Sequence, residues 1–202
     1  MTRPDLLERV AGDLTGCRLH PVGRERALLE TPDGAQCWWR VRDDRRRLLS
    51  LQSSRFELDG PSTGAEVRIE LRHTGNLRRT GVRGTVKGRD ELAGISMRDQ
   101  LLADGELQAA CMALDFTAFT IAPAEGRWRA EIELMGGSHV RTRLPPASNY
   151  VRLAEDQVAA LLATVAVLHR RLPAATERLV VSTTAAAPTI EGTVDHLPRR
   201  NV

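Results

Sequence analysis

The eight residues from Ala65 to Arg72, AEVRIELR, alternate without a fault. Ala65, Val67, Ile69 and Leu71 fall on one side of an extended chain, and Glu66, Arg68, Glu70 and Arg72 fall on the other. A strand with one buried and one wet face satisfies this period, so the chain must build a sheet with a covered side. CRLHPV, RALLETPDGAQCWWRVR and LLSLQSSRFEL also read as strands divided by turn residues. VRGTVKG repeats the alternation more weakly, with Val82, Gly84 and Val86 inward and Arg83, Thr85 and Lys87 outward.

Two turns set register. In TPDGA, Pro32 presets φ and Gly34 can take the left-handed position of a three-residue loop. Pairing Thr31 with Ala35 then sets Leu29 against Cys37 and Ala27 against Trp39 on one face. The other face receives Leu28 with Trp38, Arg26 with Arg40, and Glu30 with Gln36. Further on, FTAFTIAP, RWRAEIELM and SHVRTRLPP read as strands. With Gly136, Gly137 and Ser138 as a hairpin loop, Leu134 faces Val140, Ile132 faces Thr142 and Ala130 faces Leu144, while Arg141 and Arg143 pair with Glu133 and Glu131.

Helical spacing appears three times. Pro4 followed by Leu6, Leu7, Val10 and Leu14 gives a short amphipathic N-terminal helix. Between Asp90 and Leu114 we expect a loop and a short helical turn, then a helix from Glu106 to Leu114 with Asp104 as its N-cap. From Asp156 to Leu172 the apolar series Val158, Leu161, Leu162, Val165, Leu168 and Leu172 specifies a long helix, stopped at Pro173 and packed across the sheet. The expected architecture is an α+β domain, residues 1–172, with a largely antiparallel sheet of about seven to nine strands. Residues 173–202 read as a flexible tail in which LVVST can supply an edge strand. Laying residues 15–34 over 117–136 without gaps aligns a threonine, a proline and a glycine, which raises an internal helix-plus-meander duplication.

Composition narrows the function classes. A chain of 202 residues with 42% apolar and 27% charged residues can bury one ordinary core, and with 3% aromatics that core must be mostly aliphatic. No segment approaches the run of about 18 apolar residues that a membrane span needs, and MTRPDLLERV lacks the apolar stretch of a signal peptide. The expectation is a cytoplasmic protein without a membrane partner. Cys17, Cys37 and Cys111 are odd in number and scattered, which argues for reduced thiols over a disulfide frame or a zinc site. His20, His73, His139, His169 and His196 stand at no metal-ligand spacing, so no metal is expected. A nucleophile elbow, a phosphate-binding glycine loop and a dinucleotide fingerprint are absent, and no cofactor is expected. Asp13, Asp43, Asp44, Glu57 and Asp115 are candidate carboxylates, with Asp43, Asp44 and Asp115 better read as caps and turns.

Two features could carry binding. RHTGNLRRTGVRGTVKGRD gathers Arg72, Arg78, Arg79, Arg83, Lys87 and Arg89 with no carboxylate before Asp90. Such a run can grip an anion or an acidic partner, or it can be the solvated side of a hairpin. It lacks interleaved aromatics for base stacking. The other feature is CWWR: if Trp39 faces the core, Trp38 faces away with Arg26 and Arg40 beside it, the composition of a binding hot spot. A helix over the second face would make Trp38 core, and that is the expectation here.

The run LDFTAFTIAPAEGRWRAEIELMGGSHVRTRLPPASNYVRL, residues 114–153, resembles the C-terminal part of a bacterial domain family of unknown function. The resemblance implies a prokaryotic cytosolic protein and carries over no activity and no functional residue. The leading expectation is therefore a non-enzymatic binding protein that engages an acidic protein or anionic ligand through its Arg-rich surface. Its rivals are a small-molecule site or enzyme pocket between sheet and helices, and a nucleic-acid-binding protein.

Overall fold

The computed structural model describes residues 5–61, 65–75 and 78–185, with side chains through residue 172. It is an α+β fold of four helices and a nine-stranded antiparallel sheet. In chain order the elements are α1 (Leu6–Asp13), β1 (Arg18–Gly23), β2 (Arg26–Glu30), β3 (Gln36–Arg45), β4 (Leu49–Gly60), β5 (Val67–Thr74) and β6 (Gly81–Gly88). Then follow α2 (Glu91–Leu102), α3 (Gly105–Ala113), β7 (Phe116–Ala124), β8 (Arg127–Arg143), β9 (Pro146–Val151) and α4 (Glu155–Ala185). Strand order is β1-β2-β3-β4-β8-β7-β5-β6, and β9 pairs the far half of β8.

The TPDGA turn and its register are as the sequence dictates. Thr31 N–H donates to Ala35 O at 2.9 Å, Gly34 takes φ +83°, and Leu29 meets Cys37 while Ala27 meets Trp39. The alternation of β5 sends Val67, Ile69 and Leu71 into the core, each 1% exposed or less. Asp104 caps α3 by accepting from the N–H groups of Glu106 and Leu107 at 3.0 Å each. At the N-terminus of α1, Glu8 reaches back to accept from the Asp5 N–H at 3.2 Å. The helices lie on one face over the aliphatic core, α4 against α3 and β4, α2 against β5 and β6, and α1 against β8. Trp39 is fully buried there; its indole N–H donates to Ser54 Oγ at 3.0 Å, and Ser54 Oγ donates to Gly137 O at 2.6 Å. A satisfied indole lets so large a side chain sit in an apolar core.

Four expectations are corrected. First, Gly136 to Ser138 is no hairpin loop. It is an irregularity within the continuous strand β8, where the register with β4 jumps between Gln52/His139 and Ser54/Leu134. The twelve-residue β4 holds both halves of β8 in line, so Glu131 and Glu133 face β4 and β7 rather than Arg143 and Arg141. Gly137 takes φ +75°, and a Cβ there would stand 2.9 Å from Ser54 Oγ, so the kink admits only glycine without rearrangement. Second, α2 is a twelve-residue helix where a loop and short turn are expected. Its pattern is masked because Gly94 replaces an apolar residue where the Val67 and Val86 side chains press against the helix.

Third, α4 continues past Pro173 to Ala185, so residues 179–183 are helical rather than an edge strand. The Ala, Glu, Arg and Leu after Pro173 are good helix formers, and one proline removes a single rung of hydrogen bonds. Residues 186–202, the rest of the expected tail, lie outside the described residues. Fourth, the ungapped echo lays inward Ala27 and Leu29 over outward Arg129 and Glu131. A one-residue slip exchanges the two faces of a strand, and Pro21, Pro123 and Gly136 lie within β1, β7 and β8 while Gly34 is in a turn, so the aligned residues do not hold equivalent places. Among the described residues no helix is long and apolar enough to cross a membrane.

One tie closes the fold. Buried Asp13, at the end of α1, accepts from Tyr150 Oη at 2.7 Å, Arg152 Nε at 3.0 Å and Leu153 N–H at 2.8 Å. Burial first, and then the bond to Asp13, pushes the Tyr150 hydroxyl well above its ordinary range.

Candidate functional site

Among the described residues no helix covers the second face of the sheet, which corrects the expectation for Trp38. Trp38 is half-buried on that open face, with the Arg26 guanidinium stacked 3.9 Å from its ring centroid. Its cross-strand neighbours are Leu28 and Glu57. Arg40 lies within 2.9 Å of Glu57, whose side chain is only 4% exposed although it points away from the core. Burial raises the Glu57 carboxyl above its ordinary value, and Arg40 and Arg129 offset part of that rise. The Nε atoms of Arg26 and Arg40 and Oε2 of Glu57 are buried without a well-aligned hydrogen bond.

Beside this cluster the middle of the open face is charge-matched. Glu133 takes Arg42 at 2.8 Å, Arg55 at 3.5 Å and a hydrogen bond from Ser53 at 2.9 Å; Glu131 takes Arg55 at 3.1 Å; Asp59 takes Arg129 at 2.7 Å. Burial lifts the Glu133 carboxyl, but the bonds from Arg42 and Ser53 and the charges of Arg42 and Arg55 outweigh it and hold the group below the usual carboxylate range. Asp43 and Asp44, expected in a turn, lie in β3 and pair with Arg45 and Arg46.

The β5–β6 end is different. Arg68, Arg72 and Lys87 converge on the one carboxylate of Glu70, at 3.3, 3.3 and 3.5 Å. Desolvation raises Glu70, yet Lys87, Arg68 and Arg72 together hold it below its ordinary value. Arg89 lies 3.4 Å from Glu66. Arg79 turns away from the patch: it bonds the Asp115 carboxylate and the carbonyls of Met112 and Leu114, which caps the C-terminal end of α3. Arg78 and Arg83 pair with no carboxylate among the described residues. Arg83 instead stands across the strand pair from Arg72. Of the six sequence candidates, Arg72, Arg83 and Lys87 therefore share one patch with Arg68, Arg89 and Arg78 lie at its ends, and Arg79 has a structural post.

Sequence reasoning misses a groove beside that patch. β5 and β7 pair only from Ile69/Ile121 to Leu71/Phe119 and then separate. The opening, about 510 Å³, is lined by Arg68, Glu70, Arg72, His73, Phe116 and Thr120 among others. His73 stacks on Phe116 with centroids 4.0 Å apart and bonds Cys111 O at 2.9 Å. Nothing local in the sequence signals a gap between two strands, one ending at Thr74 and the other beginning at Phe116.

Two wider troughs, about 700 and 770 Å³, flank the kinked end of β8 and share Gln52, His139 and Arg141. Both are open to solvent, and beneath α2 and α3 the space beside Leu71, Leu101 and Leu107 is too small for a water molecule. Cys17, Cys37 and Cys111 are free thiols, with Cys37 and Cys111 buried and raised by desolvation to about 12. Among the described residues no group of three or more His, Cys, Asp or Glu side chains is placed to hold a metal ion.

The model of one family, "Protein of unknown function (DUF3156)", matches residues 12–172. The chain belongs to this family. The match begins at the end of α1 and ends within α4, so it takes in the whole sheet and reaches far beyond residues 114–153, where the resemblance is read from sequence. No curated protein and no solved structure matches the chain.

Proposed function

We propose that this family member is a non-enzymatic binding protein that engages an acidic protein partner through the β5–β6 end of its open sheet face. The observation that carries the reading is the local charge imbalance: Arg68, Arg72 and Lys87 share Glu70, while Arg78 and Arg83 have no carboxylate among the described residues. Guanidinium groups without internal partners favour incoming carboxylates, since charge-assisted bidentate bonds outweigh those to water. The adjoining groove gives such a partner a concavity with an aromatic wall at Phe116 and His73. A small-molecule or enzymatic role draws its support from the troughs at Gln52, His139 and Arg141, which are open rather than enclosed. Nucleic acid finds the same cations but no exposed aromatic series at this end. We take the working compartment to be the bacterial cytosol, supported by three unpaired thiols.

The test is titration of fluorescent poly-glutamate and of duplex DNA into the wild type and the Arg78→Ala/Arg83→Ala variant at several salt concentrations. Poly-glutamate should bind, weaken with salt and lose about tenfold in affinity in the variant, two charge-assisted contacts being removed. DNA gripped by those two groups alone would show a log–log salt slope of about −2. Poly-glutamate affinity that ignores both salt and the double replacement refutes the proposal.

A further inference from the structure

Among the described residues β1, β6 and β9 each leave one edge of the sheet free, and these rims are not alike. β1 carries Pro21 and a register irregularity between Pro21 and Gly23. β9 is six residues long and begins with Pro146. Proline, bulges and brevity are the usual means by which an edge strand is kept from pairing with another chain. β6 has none of these three, and its guard is charge alone, Arg83 and Lys87: it pairs β5 over eight residues, Gly81 to Gly88, with no shift and no proline, and it ends the sheet.

The phase of its hydrogen bonds follows from one contact and the register. Arg89 N–H donates to Glu66 O at 2.9 Å, and bonded and non-bonded pairs alternate along an antiparallel ladder. The main-chain groups of Arg83, Thr85 and Lys87 thus turn toward β5, and those of Val82, Gly84 and Val86 point out from the rim. Among the described residues no strand meets them. Side chains sort the other way. Arg83 and Lys87 stand on the open face, two pleats apart, while Val82 and Val86 pack partly on the core.

Charge decides what can join. A second copy of β6 laid antiparallel about Thr85 would set Arg83 opposite Lys87, and like charges directly opposite destabilise a strand pair. An incoming strand with carboxylates at alternate positions would instead meet both cations, with its intervening apolar residues beside Val82 and Val86.

We infer that β6 is a docking rim for an extended acidic segment of a partner protein, which adds to the sheet as a further strand. This deepens the proposed function and rests on it: the cations attract, and the rim supplies the main-chain bonds and direction that a merely charged surface lacks.

The experiment uses the full chain and three probes that each carry three carboxylates: acetyl-VEVEVEV-amide, the same peptide N-methylated at alternate residues on its rim-facing edge, and a poly-glutamate of matched charge, acetyl-EEE-amide. Expected is tightest binding by the alternating peptide, about a hundredfold loss on N-methylation and about tenfold weaker binding of poly-glutamate. Val86→Pro, which deletes one outward N–H and no bond to β5, should weaken the alternating peptide about fivefold with the melting temperature checked alongside. Equal binding of all three probes, unchanged in V86P, overturns the docked strand while leaving the charged surface standing. No binding of any acidic probe overturns both. Concentration-dependent dimerisation in the absence of peptide, abolished by V86P, names a second copy as the occupant and also overturns the inference. Should V86P fail to fold, the N-methylated peptide decides the matter without it.

Discussion

The middle and the β5–β6 end of the open sheet face have the same raw materials, arginine and glutamate on alternating positions, yet they differ in stoichiometry. In the middle, Glu57, Glu131, Glu133 and Asp59 each lie within reach of Arg40, Arg42, Arg55 or Arg129, and the side chains are folded down on one another. At the end, three cations crowd one carboxylate and two more find none among the described residues. The first arrangement makes an uncovered sheet face self-sufficient. The second leaves an excess of positive charge on the surface.

The sharpest way to break this comparison is to remove a carboxylate from each region. Glu133→Ala leaves Arg42 and Arg55 facing each other at a site only 12% exposed, and it should cost about 2–3 kcal/mol, between the values for exposed and buried pairs. Thermal denaturation checks it, with a fall in midpoint of about 4–12 °C expected. Glu70→Gln should cost less than about 1 kcal/mol, because its partners are exposed, and should strengthen poly-glutamate binding several-fold by releasing Arg68, Arg72 and Lys87. A gain in affinity with little loss of stability is a combination the matched region cannot give.

Acid titration sharpens the contrast. Glu133 sits below its ordinary range in the fold, so its contribution is present above about pH 4.3 and is lost as pH falls through the depressed value. Glu57 sits above its ordinary range and works in the opposite sense, its contribution lost as pH rises through the raised value. Chemical denaturation between pH 3 and 7 should therefore show an acid limb that flattens in Glu133→Gln and not in Glu57→Gln. The smallest effect is expected from Arg83→Ala: a stability change within about 0.5 kcal/mol, measured by the same melts, alongside its loss of acidic-probe affinity.

Much of this was legible in the residues, and the boundary is physical. The TPDGA register, the β5 alternation and the Asp104 cap are local, set by residues within a turn or a pleat of each other, and each stands as read. The Gly136–Ser138 kink was misread because a glycine pair serves a hairpin and a bulge equally well, and only the length of β4 chooses between them. The same blindness governs the site. That Arg79 leaves the basic patch for Asp115 depends on where α3 ends against the sheet, 33 to 36 residues away in the chain. The groove at Phe116 depends on which strands the topology brings side by side.

That topology has a consequence for how the chain is made. β4 and β5 follow each other in sequence, yet β8 and β7 lie between them in the sheet. A nascent chain that has released only its first 115 residues therefore holds four strands whose last member, paired with β3 on one edge, has its other edge open, and a β5–β6 hairpin not yet joined to them. Chains ended at residue 115 should be captured by chaperones and pass into inclusion bodies, and extension to residue 172 should relieve both. Joining of the two halves of the sheet waits on the ribosome delivering β7 and β8 after both.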